Sequence, residues 1–112
     1  MAQSLNSISK EEKKRREFHE LLKRVSGLDR VYFQAPQKTR LTYPCIIYDV
    51  SYQRITHADN RPYVNRPRYN VTVIYENPDC GIPYRVAEIS SASFDRTFKA
   101  DGLYHTSYSI YF

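Results

Sequence analysis

A chain of 112 residues with net charge +5 is sized for one domain with a modest core. Its 11 Tyr and 5 Phe, with no Trp, suit a sheet with many half-exposed positions, because a tyrosine ring packs while its hydroxyl stays wet. Only 3 Gly, none in a GxGxxG or GxxxxGK(S/T) pattern, exclude a phosphate-cradling glycine loop.

The N-terminal MAQSLNSISK lacks the apolar core of a signal peptide, and no apolar run is long enough for a transmembrane span. The expectation is a protein that is cytosolic when made, with no membrane partner. Cys45 and Cys80 have no short spacing and read as small buried hydrophobes in a reduced protein.

Ser9 opens a capping box with Glu12. Phe18, Leu21, Leu22 and Val25 then follow at helical spacing, and Gly27 suits the end, so a helix is expected over about 10–26. A short strand is expected at 31–33. Residues 37–42 read as a surface loop. A stronger strand begins at Tyr43-Pro44, with Ile46, Tyr48, Val50 and Tyr52 alternating on one face. Asp59-Asn60 has turn chemistry, and the strand after it alternates clearly from Tyr69, with Val71, Val73 and Tyr75 on the apolar side. Pro62 and Pro67 remove ladder donors and place the first half of that strand at an edge or outside the sheet.

Beyond a loop at 76–81, Pro83 with Ile82, Val86 and Ile89 predicts a short helix over 82–89. Strands over 92–98 and 103–112 close the domain around an Asp101-Gly102 turn, with Tyr104, Thr106, Tyr108, Ile110 and Phe112 on one side. The order αβββαββ predicts an α+β fold with a small, mostly antiparallel sheet flanked by an N-terminal and a second, short helix.

The strands flanking Asp59-Asn60 run about 13 residues each, on the order of 43 Å at 3.3 Å per residue. A compact chain of this size has a diameter of roughly 35 Å. A β-arm over residues 51–68, with Asp59, Asn60 and Arg61 at its tip, is therefore expected to project, and residues 1–8 to fray. An isolated two-stranded ribbon is marginal in water, so such an arm calls for a partner.

Charge is lopsided. Residues 10–24 carry seven Lys/Arg against four Glu, and residues 51–70 carry Arg54, Arg61, Arg66 and Arg68 against Asp59. Residues 71–112 carry three basic side chains against five acidic ones. That imbalance favours an anion or an oppositely charged surface. Arginine interleaved with tyrosine over RPYVNRPRY fits single-stranded nucleic acid and assembly interfaces alike. No helix-turn-helix, zinc finger or RNP-type motif accompanies it.

Signs of catalysis are missing. His19, His57 and His105 are scattered, and a metal site with Cys45 and Cys80 would have to draw on four separate elements. No serine has a nucleophile elbow, and Glu11-Glu12 is explained by the helix N-terminus. No enzyme activity, catalytic residue, metal or cofactor is expected.

From Val31 on, VYFQAP, YPCIIY, ADNRPY, RYNVTVIYENPD and SFDRTFKADGLYHTSYSIYF occur in an order that resembles tail terminator proteins (tail-completion or head–tail joining proteins) of long-tailed bacteriophages. The resemblance implies a structural virion protein of the tail or neck. It implies a homohexameric ring on the head-proximal end of the tail tube that ends tube polymerisation. Its partners would be the tail tube protein and a head-completion or connector protein, with genomic DNA passing through the lumen without sequence-specific binding. Charge and strand length place the candidate subunit contacts on Arg54, Tyr63, Arg66 and Arg68 and on a receiving sheet edge. The alternatives are a head-closure or neck connector protein of the same morphogenesis module, or a small basic nucleic-acid-binding module.

Overall fold

A computed structural model describes residues 9–35, 40–51 and 67–112, and the backbone of 57–58 and 61–62. Helix α1 (Lys10–Ser26) begins where the sequence expects: the Ser9 side chain accepts a hydrogen bond from the Glu12 N–H at 3.0 Å. The Glu12 carboxylate turns to Arg16 instead of closing the box, at 2.9 Å. Gly27 ends the helix at φ 75°, a left-handed conformation cheap only for glycine, and its N–H reaches the Lys23 carbonyl at 2.8 Å.

Strands β1 (Val31–Phe33), β2 (Cys45–Ser51), β5 (Arg68–Tyr75), β6 (Ala92–Ala100) and β7 (Leu103–Tyr111) form one sheet in the order β1-β2-β5-β7-β6. Only the β1–β2 pair is parallel, so the fold is α+β with a mostly antiparallel sheet. Two-residue strands β3 (His57–Ala58) and β4 (Arg61–Pro62) pair separately. The second helix, α2 (Ile82–Ala87), has proline in its first turn, and Glu88 and Ile89 extend it by single turns onto Arg85 and Val86. Asp101 and Gly102, both at positive φ, make the tight β6–β7 turn.

Both helices lie on one face of the sheet. Phe18 stacks on Tyr69 at 4.1 Å between ring centres and meets Tyr48 edge-on at 5.7 Å, with Phe112 closing the cluster at 5.3 Å. Ile82 and Val86 of α2 join this core, and the Tyr108 hydroxyl donates to the Pro83 carbonyl at 2.9 Å. The alternation expected from sequence is the one that packs here: Ile46, Tyr48, Tyr69, Val71, Val73 and Ile110 are all buried.

The opposite face is polar and held by cross-strand rungs. Asn70 donates to Asp49 at 2.7 Å, Thr72 and Ser107 share a bond of 3.2 Å, and Ser109 donates to Asp95 at 2.8 Å. Among the described elements, no helix covers it.

His19 sits at the margin of the core, its Nδ1 at 2.8 Å from the Tyr48 hydroxyl. Burial holds its imidazole below the ordinary value, helped by Lys23 and Arg15 and opposed by Glu20. The folded chain therefore takes up this proton less readily than the unfolded chain. Stability is unaffected above pH ~6.5 and falls as pH drops below that value toward the folded pKa. The thermal midpoint should be lower at pH 5 than at pH 7.5, and His19→Gln should reduce that difference. An unaltered pH dependence in the variant would assign the effect to other groups.

Candidate assembly surface

The hairpin is built from the sheet outward. In the β2–β5 ladder, partners run from Cys45↔Ile74 to Ser51↔Arg68, and in the tip ladder His57 faces Pro62 and Ala58 faces Arg61. The residue numbers of every pair sum to 119, so both ladders fall in the same register. The base is set more narrowly than the sequence suggests. Ser51 and Arg68 are sheet residues, and Arg68 also pairs with Tyr111. They stay in the sheet because β7 supplies a partner for β5 up to Arg68.

Arg68 is half-buried, and its Nε is buried with no hydrogen-bond partner among the described residues. Its neighbour Pro67 is buried, and the Pro67 carbonyl accepts the Phe112 N–H at 3.4 Å. Of the other candidate contacts, Arg54, Asp59, Asn60, Tyr63 and Arg66 lie outside the described residues, as does the side chain of Arg61. The radius of gyration is 15.9 Å, with extents of 48 × 41 × 24 Å; a compact chain of this length has a value near ~13 Å.

The sheet has two outer edges, β1 and β6. Strand β1 has three residues and β6 has nine, so β6 is the long open edge, exposed from Ser93 to Lys99. Such an edge presents unpaired backbone groups that invite another chain. Its sequence looked like an ordinary closing strand, but a register shift between Phe94 and Arg96 rearranges it. Phe94 meets Tyr108 edge-on at 6.0 Å on the helix-bearing side, whereas Phe98 stacks on His105 at 4.7 Å on the polar side. Without the bulge, two residues four apart would share a face.

Phe94 is 61 % exposed and Tyr84, on α2, is 73 % exposed. Together with Pro78, Cys80 and Tyr108 they border a cavity of about 260 Å³. Burial pushes the Tyr108 hydroxyl above its ordinary value, with Tyr75 and Tyr84 acting in the same direction, so it stays protonated as a donor. Sequence reasoning missed Phe94 and Tyr84; the signal at Tyr84 was an aromatic outside the Ile82, Val86 and Ile89 face of the short helix.

His105 stacks on Phe98, and its Nδ1 is 3.2 Å from the Leu103 carbonyl. Cys45 is buried, which pushes its thiol up against the opposing influence of Arg30, and Cys80 is half-buried. Among the described residues, no three His, Cys, Asp or Glu side chains are grouped to hold a metal ion. No helix among them is long and apolar enough to cross a membrane. Compared with protein-family models, curated proteins and solved structures, the chain matches none.

Proposed function

We propose that this chain is a structural, non-enzymatic ring subunit of a phage virion, a tail terminator. Its ring would cap the head-proximal end of the tail tube, end tube polymerisation and offer the surface on which head-completion proteins dock. The supporting observation is the hairpin: the β2–β5 ladder and the separate pairs His57↔Pro62 and Ala58↔Arg61 fall in the same register, in a stretch of sequence too long and too basic to serve only its own core. A ring needs heterologous contacts, in which one patch meets a different patch on the neighbour. A basic hairpin and a long open β6 edge in the more acidic C-terminal half are two such patches.

Reversing charge at Arg54 and Arg66 (R54E with R66E) tests the reading while sparing Arg68, which the sheet holds. The expected result is loss of rings in negative-stain images and loss of binding to tail-tube ends. Intact rings in that variant would sink the hairpin assignment. Binding to the head-side connector complex but not to tube ends would favour a neck protein. Steeply salt-dependent DNA binding by the monomer would favour a nucleic-acid module.

A further inference from the structure

The two ends of the sheet differ in chemistry. At the β6 end, Tyr84 and Phe94 form an exposed aromatic pair beside a loop carrying Glu76 and Asp79, with Asp101 at the turn; all three acids are exposed. Asp95 of β6 adds a fourth acid, and Arg96, over the Phe98 ring at 5.1 Å, and Lys99, over the Tyr104 ring at 5.1 Å, only partly offset them. Arg85 points away, its guanidinium donating to the Ser26 carbonyl of α1 at 3.3 Å.

At the β1 end, Arg15, His19 and Lys23 recur every four residues and so share one stripe of α1. That stripe faces β1 and β2, because Arg15 lies over the Phe33 ring at 4.2 Å and His19 meets Tyr48. Arg30, bonded through Nε to the Pro44 carbonyl at 2.9 Å, and exposed Arg40 add to it, against Glu11 and Glu20 of α1 and Asp29 on the loop leading to β1. The β1 end is therefore cationic and the β6 end anionic with an aromatic anchor.

We infer that the β6 end of one subunit packs against the α1–β1 end of a second copy of this chain, head to tail. Tyr84 and Phe94 are the apolar anchors, and Glu76 and Asp79 face Lys23 and Arg40. The two patches lie at opposite ends of one sheet, so each copy keeps a free end and the contact propagates around a ring. The inference rests on the ring reading and adds a body-to-body contact that does not use the hairpin.

The test uses the full chain, light scattering and circular dichroism. Variant one carries Glu76→Lys and Asp79→Lys; variant two carries Lys23→Glu and Arg40→Glu. Each alone should fold and lose association at least tenfold, because like charges then face each other. An equimolar mixture should restore assembly, since every junction again pairs opposite charges. A third variant, Tyr84→Ser with Phe94→Ser, should weaken assembly without lowering the thermal midpoint, both rings being exposed. If wild type forms rings and these variants assemble unchanged, or the mixture stays dissociated, the sheet-end contact is wrong and the ring reading stands. If wild type is monomeric at every concentration, both are wrong.

Discussion

Replacing Phe18 by alanine should remove about 3–5 kcal/mol of folding stability, the usual effect of deleting a buried aromatic side chain. The ring is fully buried and sits where α1 meets the sheet, stacked on Tyr69, edge-on to Tyr48 and beside Phe112. Its loss opens a cavity whose walls are the rings of β2, β5 and the C-terminus, and stiff aromatic walls collapse poorly into such a space. Domains of this size have roughly 5–15 kcal/mol in all, so the variant should be marginal at room temperature. Urea unfolding followed by circular dichroism measures the change. A loss under about 1 kcal/mol would mean that the aromatic cluster is not the core that holds helix to sheet.

On the ring reading proposed above, excising residues 53–66 and joining Tyr52 to Pro67 through Asn-Gly should leave the domain folded and abolish ring assembly. The cut lies beyond the last pair of the β2–β5 ladder, Ser51↔Arg68, and Asn-Gly suits a two-residue hairpin. Pro67 and Arg68, which the sheet uses, are retained. The shortened chain should melt close to wild type and run as a monomer by light scattering. Rings that persist would leave the sheet-end contact as sufficient by itself and remove the hairpin from the assembly. Unfolding of the shortened chain would show that the tip supports its own domain and would also count against a reaching arm.

Local chemistry wrote several elements plainly. Ser9 and Gly27 bracket α1 because cap and left-handed terminus are decided within a few residues. The alternation through Tyr69, Val71 and Val73 marks a buried face because period 2 is a property of the strand alone.

Strand order was a different matter. Alternation says which side of a strand is apolar but not which strand lies beside it, so the parallel β1–β2 pair and the position of β6 at the long open edge are tertiary outcomes. The bulge at Asp95 belongs with them: it parts Phe94 from Phe98 across the sheet and leaves Phe94 beside Tyr84. The sequence by itself therefore determined a capped amphipathic helix and a patterned sheet. Only the tertiary structure decided which edge stays open and which charges gather at each end, because those depend on neighbours far apart in the chain.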